Sequence, residues 1–310
     1  MRRMRSIAFL PMALLVGAGV RAMIVPAHAS TPVFPVAAPA ARLLEVTWSP
    51  QSPKQGALFT IRAKITGGAD NARPSGTYAG EPLHFDDDGA GGWWAVGAVG
   101  VDTQGVGELI VQVGGGYAVD QVRKEVPIAA GSYAMERLTV APEMATPPDA
   151  ATAARIDREA AMAAEVARNA HNTPRMWTPG AVQRPRPSRI TSGFGNGRQF
   201  NGEVQSRHMG TDFAGAVGEP VIAPADGVVA LTGSFYLGGN VVYIDHGGGL
   251  STAYLHLSAT NVKQGDTVKA GQRIGSVGAT GRVTGPHLHW IVRYGNVTVD
   301  PLSLLALTAP

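Results

Sequence analysis

Cysteine is absent from all 310 residues. That excludes disulfide staples, thiolate zinc sites and a lipid-modified N-terminal cysteine. Any metal in this chain must be held by His, Asp or Glu. Charge is sparse, with 16% Asp, Glu, Lys and Arg against 45% hydrophobic residues, which excludes a disordered polyelectrolyte. No uncharged apolar run reaches the roughly 20 residues of a membrane span. Ser6 to Val20 is such a run of only 15 residues, and Arg21 ends it. Familiar enzyme signatures are also missing. There is no G-x-S-x-G elbow and no H-E-x-x-H helix. The segment from Gly278 to Gly285, GATGRVTG, lacks the Gly-Lys-Ser/Thr of a P-loop. GFGNG, Gly193 to Gly197, has no βαβ pattern around it and does not read as a dinucleotide site.

Glycine, at 40 residues, and proline, at 22, are plentiful. They favour many turns and short strands over a helical bundle. The basic start MRRMR, the apolar run and Ala27-His28-Ala29 together form a secretory signal pattern over residues 1–29. Its removal would take Arg2, Arg3, Arg5 and Arg21 and turn the formal net charge from +3 to −1. The basic pI of the whole chain is therefore no argument for nucleic-acid binding. After cleavage no membrane span remains, and the chain is expected in the periplasm, the cell envelope or the medium. Nothing in the sequence sets an oligomeric state.

Residues 30–42 are rich in Pro and Ala and read as extended. Residues 43–140 alternate apolar and polar positions in short runs such as LLEVTW and ELIVQV, the pattern of an immunoglobulin-like β-sandwich. Asp86-Asp87-Asp88-Gly89 lacks the distal Glu of a calcium loop and reads as a turn between strands. Of Trp93 and Trp94, one ring is expected in a core and the other on the surface, with a sugar-stacking platform as the alternative. Residues 141–187 form a helical and Pro-rich connector, with a helix from about 149 to 170 that could pack on either domain or act as a spacer. Residues 188–310 return to β-rich runs joined by glycine turns. The expected fold is mainly β throughout, with a C-terminal antiparallel β domain.

Five of the eight histidines fall between 208 and 289. In GPHLHW, His287 and His289 are two apart and share one face of a strand. In RHMGTDF, His208 and Asp212 are four apart and could share an ion if the chain bends near Gly210. Three ligands drawn from His208, Asp212 and the histidine pair would leave a fourth position for water, the arrangement of catalytic zinc. The alternative from spacing alone is a set of unrelated histidines. His246 and Asp245 read as structural groups at a strand end before a glycine turn, and His84 and His171 as unconnected with the cluster. Tyr254 alternates with His256 and could face the same groove.

Residues of about 188–305 resemble the lysostaphin-like, LytM-type zinc endopeptidases that cut peptidoglycan peptides. The likeness rests on His208-x-x-x-Asp212, AYLHLS from Ala253 to Ser258, GPHLH from Gly285 to His289, the runs GTDFAGAVGEPVIAPADGVV and VKAGQRIGSVGATGRVTG, and the closing Asp300-Pro301. It implies one zinc ion (Zn2+) per chain, held by His208, Asp212 and His289. It implies catalytic, non-ligand roles for His256 and His287, and peptidoglycan peptides as the partner. All five positions are intact. Relatives that bind cell-wall hydrolases and activate them without cutting usually lack some of them, so a working enzyme is expected over such a regulator. An envelope-binding protein acting through its sandwich is the other alternative.

Overall fold

The computed structural model describes residues 43–67, 72–115, 118–138, 148–200 and 203–308. The signal pattern at 1–29 and the segment 30–42 lie outside the described residues, as does the first part of the connector. The backbone is 47% strand and 12% helix.

The first half contains β1 (Leu43–Ser49), β2 (Leu58–Thr66), β3 (Ser75–Tyr78), β4 (Glu81–Pro82), β5 (Asp86–Asp87), β6 (Trp93–Ala98), β7 (Val106–Gly115) and β8 (Ala118–Pro127). They form two four-stranded sheets, ordered β1-β2-β6-β5 and β4-β3-β7-β8, with every pair antiparallel. The period of two sorts the side chains. In β1, Leu44 and Val46 are buried while Leu43, Glu45 and Thr47 face water. Phe59, Ile61, Tyr78, Leu109 and Val111, from both sheets, join them in one core.

The β2-β6 sheet is buried on its other face as well. Leu58, Trp94, Val96 and Ala98 belong to the core of the C-terminal half. Trp94 is thus core, whereas Trp93 is half-buried against the first core. Asp87 and Asp88 make the expected turn, while Asp86 sits in β5 opposite Trp94. Asp87 Oδ1 accepts from Gly89 N at 2.6 Å, and Asp88 Oδ1 accepts from Ala90 N and Gly92 N at 2.8 Å.

β9 (Met135–Leu138) leads to α1 (Ala150–Asn169). Asp149 caps this helix by accepting from Thr152 N at 2.7 Å. The helix is no free spacer. Val166 and Ala163 pack on Leu231, Val241, Tyr243 and Ala253 of the C-terminal sheet. Glu159 accepts from Tyr236 N at 2.7 Å, and Arg155 donates to Ser234 O at 2.9 Å.

The remaining elements are β10 (Ile190–Ser192), β11 (Gly197–Phe200), β12 (Glu203–Arg207), β13 (Thr211–Ala214), β14 (Pro220–Ile222), β15 (Gly227–Phe235), β16 (Gly239–Gly247), β17 (Leu250–Leu257), β18 (Ala259–Thr260), β19 (Thr267–Val268), β20 (Arg273–Ser276), β21 (His287–Tyr294), β22 (Val297–Val299) and the short α2 (Pro301–Ala306). An eight-stranded sheet runs β10-β13-β21-β17-β16-β15-β19, with β22 on β21. Two three-stranded sheets, β14-β20-β18 and β12-β11-β9, flank it. One face of the large sheet carries Phe213, Tyr254, Leu288, Trp290 and Val292 into the C-terminal core. The opposite face is covered by α1 over part of its area and opens as a groove over the rest. Among the described residues, no helix is long and apolar enough to cross a membrane.

Candidate functional site

The groove is a product of strand register. β13 and β21 pair antiparallel with Asp212 opposite His289 and Ala214 opposite His287. Residues directly opposite on paired strands share a face. The period of two then adds His287 to the face of His289 while Leu288 and Trp290 point to the core. His208 comes from the loop before β13, which bends at Gly210. Glycine is required there by close approach. A Cβ would lie 2.6 Å from the His289 ring and 2.7 Å from Trp290 O.

His256 reaches the site by another route. It is the penultimate residue of β17, and its backbone is left-handed, with φ +64°. A regular strand would leave it on the core face with Tyr254, two residues earlier. The left-handed turn instead brings its ring within 4.9 Å of His287 and 5.9 Å of His289, centroid to centroid. For the same reason Tyr254, which the alternation left open as a groove residue, lies on the core side. Tyr254 is fully buried, and its hydroxyl lies 2.8 Å from Thr252 Oγ1.

Three potential ligand atoms converge. His208 Nε2 lies 3.0 Å from Asp212 Oδ1 and 2.9 Å from His289 Nδ1, and His289 Nδ1 lies 2.7 Å from Asp212 Oδ1. The donor pattern behind them suits a cation. Gly193 O, 2.9 Å from His208 Nδ1, can only accept, so Nδ1 carries the proton. In the neutral ring, Nε2 then offers a lone pair, 3.0 Å from a carboxylate oxygen that is also an acceptor. A positive ion satisfies this cluster of acceptors, and two imidazoles with one carboxylate are a zinc-type set. His208 and Asp212 are 1% and 7% exposed. Burial pushes the Asp212 carboxyl up, but whenever a facing nitrogen of His208 or His289 carries a proton its hydrogen bond outweighs this and holds the group well below the usual carboxylate range.

The other two histidines stand beside this cluster. His287 Nδ1 donates to Gly285 O at 2.9 Å, leaving Nε2 3.7 Å from Asp212 Oδ1. His256 Nδ1 donates to Thr280 O at 2.9 Å. Burial, with His289 nearby, lowers His256 to about 4, so its ring is neutral at pH 7. The groove itself has a volume of about 760 Å³, and Asp212, His256, His287 and His289 line it. Arg137, Arg189 and Arg282 stand along its walls, all solvent-exposed.

His246 and Asp245 are structural, as expected. His246 is fully buried between Asp226 O at 2.7 Å and Thr252 Oγ1 at 2.8 Å. Asp245 accepts from Gly247 N at 2.8 Å and from the Thr173 hydroxyl at 2.6 Å. His84 and His171 lie outside the groove but are not independent. His84 Nε2 is 2.8 Å from His171 Nδ1, and His171 Nε2 is 3.0 Å from Glu81 Oε2, at the junction of the two halves. Ser192 and Glu136, behind His208, carried no signal in the sequence. Neither sits at a ligand-like spacing from the histidines.

Residues 206–301 match peptidase family M23. Over 83 residues the chain is 55% identical to the peptidoglycan DD-endopeptidase ShyA of Vibrio cholerae serotype O1, a match spanning 27% of this chain and 19% of that protein. Over 123 residues it is 44% identical to the DD-carboxypeptidase/endopeptidase Mpg of Neisseria meningitidis serogroup B, spanning 40% and 28%. The chain therefore spans less than a third of these curated relatives. A crystal structure of a peptidase M23 from Pseudomonas aeruginosa superposes with a TM-score of 0.63 at 27% identity, covering 82% of this chain and 95% of that one. That likeness extends the fold match well beyond the M23 segment. By the register that gathers His208, Asp212 and His289, and by these matches, the chain carries a LytM-type domain of peptidase family M23 at residues 206–301.

Proposed function

We propose that this chain is a zinc-dependent endopeptidase that hydrolyses peptide bonds in peptidoglycan cross-links or stem peptides. The observation that carries the reading is the convergence of three acceptor atoms, from His208, Asp212 and His289, at a groove that two further histidines share. His208 Nε2, an Asp212 oxygen and His289 Nδ1 would hold one zinc ion. When bound, zinc polarises the scissile carbonyl and lowers the pKa of a water towards neutrality.

The protein's own groups handle the protons. His287, with Nδ1–H committed to Gly285 O, turns the lone pair of Nε2 towards the site and takes a proton from the attacking water. The same nitrogen then returns it to the leaving amine. His256, whose Nδ1–H is committed to Thr280 O, leaves an Nε2 lone pair beside His287 and steadies the intermediate by accepting a hydrogen bond from the attacking water. Its left-handed backbone is the local strain that keeps it there. Arg137, Arg189 and Arg282 give the groove a positive wall that suits peptides bearing free carboxylates.

We also read residues 43–140 as an immunoglobulin-like sandwich, 141–187 as a helical and Pro-rich connector, and 188–310 as the peptidase domain. Because peptidoglycan lies outside the cytoplasmic membrane, the chain is placed in the envelope or beyond. The test is digestion of purified peptidoglycan by the full chain, with chelator and with zinc added back, and mass analysis of the fragments. New amine and carboxyl ends that vanish with chelator and return with zinc are expected. Undigested peptidoglycan bound by a zinc-loaded chain would replace the enzyme with a binding module.

A further inference from the structure

Behind His208 stands a side chain from outside the matched M23 segment. β9 pairs in parallel with β11, placing Met135 to Leu138 beside Gly197 to Phe200. This carries Glu136 to the groove, where it is one of the lining residues. Glu136 Oε1 accepts from the Ser192 hydroxyl at 2.6 Å and from Asn196 Nδ2 at 2.8 Å. Ser192 Oγ in turn lies 2.7 Å from His208 Nδ1.

The direction of these bonds follows from proton counting. A serine hydroxyl has one proton. With that proton given to Glu136, Ser192 Oγ can only accept from His208. Gly193 O, 2.9 Å from the same Nδ1, can also only accept. Both neighbours therefore demand a proton on Nδ1 and leave the Nε2 lone pair aimed at Asp212 and His289. Without Glu136 the Ser192 hydroxyl is free to rotate and donate to Nδ1. That stabilises the tautomer with a proton on Nε2, which cannot bind a metal.

We propose that Glu136 is a positioning residue of the metal site, acting through Ser192 to hold His208 in its ligating tautomer. This rests on the zinc reading of the site. It makes the segment before α1 part of the metal centre rather than a tether. Partners behind a ligating histidine typically change metal affinity about 10- to 100-fold. Gly193 O remains in any Glu136 variant, so a loss of about tenfold is expected.

The test uses the full chain and measures zinc affinity of the metal-free protein by competition with a chromophoric chelator. Glu136→Ala should bind zinc about tenfold more weakly. Glu136→Gln keeps a carbonyl oxygen for Ser192 and Asn196 and should stay within about threefold of wild type. Ser192→Ala removes the hydroxyl that could donate to Nδ1 and leaves Gly193 O there, so it should stay within about threefold of wild type, and the double variant should match Ser192→Ala rather than Glu136→Ala. In the apo protein, ¹⁵N imidazole shifts should report protonated Nδ1 at His208 in wild type and a mixture in Glu136→Ala. Several results would overturn the inference: wild-type affinity in Glu136→Ala, a double variant as weak as Glu136→Ala, or a loss of the same size in Asn196→Ala. A wild-type chain that takes up no zinc removes the metal reading itself, and the apo tautomer measurement still reports on the relay.

Discussion

At the scale of residues, the two histidines of GPHLHW have separable duties. His289 faces Asp212 across the β13-β21 ladder, whereas His287 lies beside the cluster with Nδ1 turned away to Gly285 O. His289→Ala and His208→Ala are expected to lose both tight zinc and cleavage, read by metal analysis after dialysis. His287→Ala should keep zinc and lose at least a hundredfold in turnover, the usual weight of a general acid-base group. Near wild-type turnover would remove His287 from the reaction.

His246 gives a prediction about acid. Burial pushes it down to about 4, against a free value of 6.5. Its Nδ1–H goes to Asp226 O, and its Nε2 accepts from the Thr252 hydroxyl, so a second proton has no place. Between these values the unfolded chain binds a proton and the folded chain does not. Stability therefore falls as pH drops from about 6.5 to 4 and loses nothing further below that from this group. The loss from His246 is roughly 3 kcal/mol. His84, lowered to about 4 by burial and by His171, steepens the same slope. Urea midpoints measured from pH 7 to pH 4.5 should decline through this window. NMR titration should find the His246 ring neutral at pH 5.5, and a ring that titrates near 6.5 would refute the assignment.

At the scale of elements, α1 is the part whose role was least visible beforehand. Its sequence announces a helix, because AATAARIDREAAMAAEVARNA has no glycine or proline and follows an Asp cap. Its partner is another matter. With so many alanines the helix carries a weak apolar stripe, and only tertiary contact shows that Val166 seats on Leu231, Val241, Tyr243 and Ala253. Val166→Ala should lower stability by about 2 kcal/mol, measured by denaturant unfolding. Zinc affinity should be unchanged, since Val166 packs on Leu231, Val241, Tyr243 and Ala253 and not on the ligand residues.

The same contrast governs the site. His287 and His289 could be paired from the sequence because HLHWIVRY keeps a strict period of two in β21. Gly210 flagged the bend between His208 and Asp212. His256 could not be aimed by periodicity, because its left-handed φ breaks the alternation with Tyr254. Glu136 was invisible for a further reason. A contact 56 residues from Ser192 depends on the parallel β9-β11 pairing, and two short strands carry no pattern that names each other.

At the scale of the whole molecule, the two halves are joined by more than a connector. Leu58, Trp94, Val96 and Ala98 complete the C-terminal core. Arg175 lies between the rings of Trp94 and Trp177, 4.2 and 4.6 Å from their centroids, and its Nε is 2.7 Å from Asp86. The Tyr294 hydroxyl donates to Pro82 O at 2.7 Å, and Leu58 N donates to Ser303 Oγ at 3.0 Å. These contacts limit how far the C-terminal domain can stand alone, although the family resemblance begins only at about residue 188. A fragment of residues 180–310 loses the cover of Trp94 and Val96, the Arg175 clamp, α1 and Glu136 together. It keeps all five histidine and aspartate positions, so residual cleavage at the same bond is expected. Its thermal midpoint should fall by more than 10 °C relative to residues 43–310, because each lost kcal/mol shifts a domain of this size by several degrees. Its zinc affinity should fall by at least the tenfold assigned to Glu136. Calorimetry of the two chains, with chelator competition on each, checks both numbers. A fragment as stable and as tight for zinc as residues 43–310 would reduce the N-terminal half to a passenger.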